Sequence, residues 1–246
     1  MKVTIITVTY NSERFLKSCI DSVVSQNYPD IEYIIIDGGS TDGTADIVAS
    51  YGEKISCYKS EKDDGIYYAM NKGIRLATGH IVGFLNSDDF YVDNNVIATV
   101  VGKFSSQDIC CTYADLLYID QDDKKIVRRW IAGSYLKRAF KFGWMPPHPT
   151  FYVRTDLLLK YGAFNTNFKT SADYELMLRL LFRYSIKPSY IPKAIVKMRV
   201  GGQSNSSFRN RIRANREDLL AWKVNNLKPF FFTIILKPIR KILQYF

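Results

Sequence analysis

Two adjacent carboxylates, Asp88 and Asp89, close the apolar run 81–85 in the segment Gly83-Phe84-Leu85-Asn86-Ser87-Asp88-Asp89-Phe90. A short apolar run that stops in acids reads as a buried strand with a charged tip. Like charges this close do not both ionise cheaply, so the pair asks for a cation. Hard oxygen donors suit Mg²⁺ or Mn²⁺. A solvated Ser-Asp-Asp turn is the plain alternative, because Ser and Asp also dominate turns. Two more polar clusters follow apolar runs: Thr9-Tyr10-Asn11, and Asp37-Gly38-Gly39-Ser40. Asp37 is able to accept hydrogen bonds from a base N–H or a ribose hydroxyl, and Tyr10 offers a ring face for stacking.

These residues need a scaffold that gathers them. Residues 2–11 are rich in β-branched side chains and read as a strand. Asn11-Ser12 then reads as the cap of a helix, with apolar residues at helical spacing from Phe15 to Val24. Strands over 33–36 and 55–58, helices over 44–51 and 66–77, and the strand ending at Asn86 complete four alternations in under 90 residues. That alternation predicts βαβ units and a parallel sheet. Ligands of open α/β sheets bind outside the carboxyl ends of the strands, so the three clusters are expected on one rim. The chain has no Gly-x-Gly-x-x-Gly after its first strand and no Gly-x-x-x-x-Gly-Lys-Ser/Thr. A bound diphosphate would therefore need a metal rather than a glycine cradle.

Five motifs in order, Thr9-Tyr10-Asn11-Ser12, 36–44 (Ile-Asp-Gly-Gly-Ser-Thr-Asp-Gly-Thr), 61–67 (Glu-Lys-Asp-Asp-Gly-Ile-Tyr), Ala69-Met70-Asn71-Lys72-Gly73 and Asn86-Ser87-Asp88-Asp89, resemble those of the family 2 glycosyltransferases over about residues 1 to 200. The resemblance implies the GT-A fold, a Rossmann-like, mostly parallel sheet flanked by helices. It also implies inverting transfer from a nucleotide-diphosphate sugar, a UDP-sugar first, with Mn²⁺ or Mg²⁺. It assigns Thr9, Tyr10, Asp37 and Asp64 to the nucleotide and Asp88 to the metal. Many members carry Asp where this chain has Asn86, which is able to bond a ribose or a metal-bound water but brings no charge. Asp89 is the available compensation, and the division of ligation between Asp88 and Asp89 stays open.

Past Asp89 the strands 109–113, 116–120 and 126–131 read as a mixed second half of the sheet, with the acids of 121–125 in a solvated hairpin turn. Residues 144–151 form a proline-bracketed loop that places His148 on the acceptor or diphosphate side. The helix 171–181 carries Asp173 and Glu175, acids that a helix N-terminus favours in any case. Inverting displacement needs one base for the acceptor hydroxyl. Asp173 matches the family's catalytic carboxylate, with Ala172 where Glu is usual. Glu175 lies about 200° further round the helix and cannot share the cleft. Arg199 opens a Gly/Ser-rich segment of the kind that closes over the donor diphosphate in this family, or a simple linker.

The net charge of +10 is concentrated at the end of the chain. Residues 199–246 hold ten Lys and Arg against two acids, a net of +8, which leaves +2 for the body. That distribution argues against a nucleic-acid-binding body and for a tail that meets an anionic surface. The tail interleaves aromatic and aliphatic bulk with Lys and Arg, and Pro238 interrupts it. It reads as an interfacial segment rather than a span, with packing onto the body or a dimer partner as the alternative. The four cysteines show neither disulfide nor metal spacing, and the N-terminus does not read as a signal peptide. The expectation is a GT-A domain over 1–205 and a basic amphipathic extension over 206–246. The enzyme would be cytoplasmic and peripheral to the membrane, acting on a polyprenyl-diphosphate-linked glycan in polysaccharide assembly. The alternative is a catalytically inactive sugar-nucleotide-binding or assembly subunit.

Overall fold

The computed structural model describes residues 1–201, 208–233, 236 and 237. The first half alternates β1 (Val3–Thr9), α1 (Leu16–Val24), β2 (Ile31–Asp37), α2 (Thr44–Ala49), β3 (Cys57–Ser60), α3 (Ile66–Leu76) and β4 (Ile81–Asn86). β1, β2 and β4 are apolar runs buried on both faces, the pattern of parallel strands covered by helices on each side. β2 and β4 flank β1, all parallel, with Thr9 opposite Asp37 and Val8 opposite Asn86. The three polar clusters therefore share one edge of the sheet, as their spacing predicted.

The second half adds β5 (Asp89–Tyr91), α4 (Val96–Lys103), β6 (Cys111–Ile119), β7 (Ile126–Trp130), β8 (Tyr152–Arg154), α5 (Thr155–Tyr161), α6 (Ala172–Met177), β9 (Pro188–Arg199) and α7 (Phe208–Val224). The strand order among the described residues is β3-β2-β1-β4-β8-β6-β9-β5, with β7 paired to β6. β8 runs antiparallel to β4 and β6, so the sheet is mixed beyond β4. One apolar cluster packs α1 and α4 on one face, and the other packs α3, α6 and α7 on the opposite face.

The structure departs from the sequence reading at several points. α1 starts at Leu16, not at Ser12. Asn11 takes φ +47°, and the Ser12 carbonyl accepts the N–H groups of Phe15 and Leu16 in a separate turn. The two strands expected over 109–120 are one, β6, which continues past a register shift with β9 at Asp115, whose carboxylate accepts Ala132 N–H and Tyr190 O–H. β5 has only three residues and is held by β9. α6 passes directly into a wider π-helical turn, Leu178–Arg183.

The C-terminal part is more integrated than a tail. Ala221 and Trp222 of α7 are fully buried, and Trp222 Nε1 donates to the Tyr174 hydroxyl at 2.9 Å. Thr233 donates to the Lys141 carbonyl, and Lys237 pairs with Asp218 at 2.6 Å. The side chains of Arg209 and Arg211, and all of residues 202–207 and 238–246, lie outside the described residues. No helix among the described residues is long and apolar enough to cross a membrane.

Candidate active site

The rim is stitched together by short hydrogen bonds. Gly38 N donates to the Thr9 carbonyl at 2.9 Å, Asn11 N to Ser40 Oγ at 2.8 Å, and Thr41 N to Asn11 Oδ1 at 2.9 Å. Ser12 and Ser87 share a hydroxyl–hydroxyl bond of 2.8 Å, tying the end of β1 to the acidic turn after β4. Tyr10 is 58% exposed beside Gly38, so its ring is open for stacking. Thr9 is buried, and its Oγ1 has no partner among the described residues.

Asp37 is not the open acceptor that the sequence suggested. It is fully buried, and its carboxylate accepts from Ser40 N, Ser40 Oγ, Ser60 Oγ and Tyr58 Oη. A base N–H would have to displace one of those hydroxyls, because a carboxylate offers about four lone-pair sites. Asp64, one residue before Gly65, is exposed ahead of α3.

The two carboxylates of the turn separate by depth. Asp88 is partly exposed on the rim, and burial raises its carboxyl above the ordinary range against the pull of Arg199. Asp89 is fully buried, because β5 pairs it opposite Met198 of β9. Burial, and then the Asp88 charge, push its carboxyl well above the usual carboxylate range. Its Oδ2 accepts Asn86 Nδ2 at 3.0 Å, and its Oδ1 has no partner among the described residues.

Among the described residues, no group of three His, Cys, Asp or Glu side chains gathers to hold a metal ion. The donor set fits a different arrangement. Mg²⁺ and Mn²⁺ commonly take one or two carboxylates and complete the shell with substrate phosphates and water. Asp88 accepts no side-chain hydrogen bond among the described residues, and its bare charge is already penalised. A cation there would relieve that penalty.

Arg199 is placed differently from the expectation that it reaches a diphosphate. It is 3% exposed and forked onto Asp123, with Nε to Oδ1 at 2.8 Å and Nη2 to Oδ2 at 2.5 Å. Nη1 donates to the Asp88 carbonyl at 2.8 Å, and the guanidinium lies over the rings of Phe15 and Phe90. Asp123 stays exposed in the turn of the β6–β7 hairpin, as expected, and is in addition the ion-pair partner of Arg199. The pairing arises because β9 runs alongside β6 and ends beside that hairpin.

A third group assembles around α6. Tyr67, the second residue of α3, donates its hydroxyl to Asp173 Oδ1 at 3.3 Å. Burial and the adjacent Asp173 push the Tyr67 phenol well above its usual value, so it stays an O–H donor. His148 stacks on Phe84 at 5.6 Å and meets Phe164 edge-on. Burial holds its imidazole below the ordinary value while Asp173 pulls the other way, and Nε2 has no partner among the described residues. The structure therefore brings Asp173, His148 and Tyr67 into one cluster. Tyr67 was missed as a site residue, although it closes the 61–67 motif. Glu175 points away: it is buried, pairs with Arg179 at 2.9 Å and accepts Asn225 Nδ2.

Over 208 residues the chain is 29% identical to a PGL/p-HBAD biosynthesis glycosyltransferase of Mycobacterium bovis, covering 82% of this chain and 79% of that one. It is 30% identical over 187 residues to an uncharacterized glycosyltransferase of Rickettsia typhi, covering 73% and 58%. Among solved structures, residues 1–349 of S. aureus TarS superpose with a TM-score of 0.72 at 19% identity, covering 93% of this chain and 67% of that one. TarS has also been solved with UDP-GlcNAc. The mannosyltransferase PcManGT from Pyrobaculum calidifontis, solved with GDP-Man and Mn²⁺, gives 0.70 at 20% identity, covering 96% and 68%. These likenesses establish the GT-A fold. The model of the family described as Glycosyl transferase family 2 matches residues 4–168, more than half of the chain, and the chain belongs to that family of glycosyltransferases.

Proposed function

We propose that this chain is an inverting, metal-dependent hexosyl- or N-acetylhexosaminyltransferase that uses a nucleotide-diphosphate sugar. The observation that carries the reading is the Tyr67–Asp173 bond. α3 begins directly after Asp64-Gly65 at the nucleotide rim, and its second residue holds the candidate base. Donor and base are thereby referred to one rigid helix.

In this reading Asp173 accepts the proton of an acceptor hydroxyl while that oxygen bonds to the anomeric carbon. The bond from that carbon to the diphosphate breaks, and the nucleoside diphosphate leaves with the electron pair. Tyr67 fixes the Asp173 carboxylate, and neutral His148 with Phe84 and Phe164 walls the cluster from water. A divalent ion held by Asp88 would neutralise the departing diphosphate. Tyr10 stacks on the base, and Asn86 and Asp89 shape the turn from below. Thr9 and Asp64 line the nucleotide side, and Asp37, bonded to Ser40, Ser60 and Tyr58, holds the loop that borders it.

The boundary near residue 205 is proposed as a division of role. Residues 1–205 carry the chemistry, and the basic segment beyond faces an anionic membrane surface, where a lipid-linked glycan acceptor would be presented. Retained nucleotide binding with transfer lost in Asp173→Asn is the expected result. A fully active Asp173→Asn enzyme would overturn the base assignment. Undiminished activity in excess chelator would remove the metal role. Absence of donor hydrolysis with UDP-, GDP- and dTDP-sugars would favour an inactive binding subunit.

A further inference from the structure

Away from the rim, a recess of about 710 Å³ opens between the 3-10 helix Lys137–Phe142 and Phe230. Phe142, Phe182 and Phe230 form its apolar wall, and Lys137, Arg138 and Lys141 are its cations. The hydrogen-bond partner of Lys137 is the neutral Ser185 hydroxyl, and Lys141 lies 4.7 Å from the centre of the Phe230 ring. None of the three cations forms an ion pair among the described residues. Beside the recess Phe231 is 91% exposed, and Leu136 is 57% exposed.

The platform is built into the fold. Phe142 packs against Phe230 and Phe232 with ring centres 5.8 Å apart in each pair. Thr233 Oγ1 donates to the Lys141 carbonyl at 2.6 Å. Gly143 takes φ +75°, and a Cβ there would lie 2.5 Å from Lys237 N, so the C-terminal segment lies directly on it. None of these residues serves the rim or the Asp173 cluster.

We infer that this recess is a binding site for the phosphate headgroup of an anionic phospholipid, with Phe231 dipping among the acyl chains. A small soluble anion would match the three cations but leave the aromatic wall and Phe231 without purpose. A purely apolar partner would strand the cations. A phosphate on an acyl chain meets both, and interfacial binding combines these two attractions. The inference rests on the proposed membrane-facing role of the C-terminal segment. It adds that the catalytic body contributes the headgroup contacts.

The test is flotation of the full chain with phosphatidylcholine vesicles, with and without phosphatidylglycerol. The wild type binds the phosphatidylglycerol vesicles. The triple variant Lys137→Glu, Arg138→Glu, Lys141→Glu loses at least about tenfold in partitioning. Phe231→Ser also weakens binding, while donor hydrolysis persists in both variants. Should the triple variant unfold, exposed Arg138→Glu alone still lowers binding. Wild-type-like binding by the charge-reversal variants overturns the recess and leaves the membrane role of the segment standing. Equal binding to phosphatidylcholine alone overturns the headgroup contact. No binding of the wild type to either vesicle overturns both readings.

Discussion

At the scale of single residues, Asp88 and Asp89 are neighbours with opposite surroundings. Asp89 is buried with one orphaned oxygen, and its carboxyl is held well above the ordinary range. A raised carboxyl favours the fold fully only below the unfolded value, and that contribution is lost as pH rises through the folded value. Asp89→Asn removes a charge the fold disfavours. Its melting temperature should rise above wild type at neutral pH, and the difference should vanish below the ordinary carboxylate range. Thermal melts across pH check this. Asp88→Asn should also raise the melt without ligand at neutral pH, because its charge is penalised in the fold, but it should abolish the Mn²⁺-dependent gain in stability with a nucleoside diphosphate. The residue types are legible in the sequence, where Asp88 and Asp173 are singled out by resemblance to the family's motifs. Their partners are not. Tyr67 and Asp173 are 106 residues apart, and no local pattern reports a contact at that separation. The acceptor role expected of Asp37 meets competitors that no local pattern reports, because Tyr58 and Ser60 arrive from the neighbouring strand β3.

At the scale of elements, the parallel half of the fold was readable because hydrophobic runs and helical spacing are local signals. β5 was not, since three residues become a strand only through β9, more than a hundred positions later. The same long-range pairing joins Asp123 to Arg199. Arg199 is buried, stacked against two rings and bonded to the Asp88 carbonyl, so its partner also stiffens the acidic turn after β4. Asp123→Ala should destabilise the protein by roughly 1–3 kcal/mol, measured by urea unfolding, because a buried cation loses its acceptor. Gly65 makes a second case. It sits before α3 at φ +129°, ψ 169°, a conformation other residues rarely adopt. An added methyl would meet nothing within 4 Å, so Gly65→Ala acts through backbone strain alone. The expected cost is about 1–3 kcal/mol. Because α3 carries Tyr67, kcat should fall alongside stability, which steady-state kinetics at a permissive temperature would read.

At the scale of the whole molecule, the uneven charge read from the sequence remains, but the basic segment is not an appendage. α7 fills the face that α3 and α6 leave open, with Trp222 fully buried. Its Glu217 accepts the backbone N–H groups of Lys169 at 3.1 Å, Thr170 at 2.8 Å and Ser171 at 2.9 Å, and the Thr170 hydroxyl at 2.8 Å. Those groups lead into α6, whose second residue is Asp173. A carboxylate from the C-terminal segment thus secures the start of the helix that bears the candidate base, a role composition and charge could not reveal. Glu217→Ala leaves three N–H groups without their acceptor. Charge-assisted bonds of this kind contribute more than neutral ones, so the expected loss is about 2–4 kcal/mol by urea unfolding. Because the change loosens α6 and not the rim, kcat should drop while nucleotide affinity by calorimetry stays near wild type. Glu217→Gln retains one acceptor oxygen and should recover part of both losses. Equal loss of nucleotide affinity and kcat in Glu217→Ala would show instead that α7 supports the whole sheet rather than the Asp173 helix.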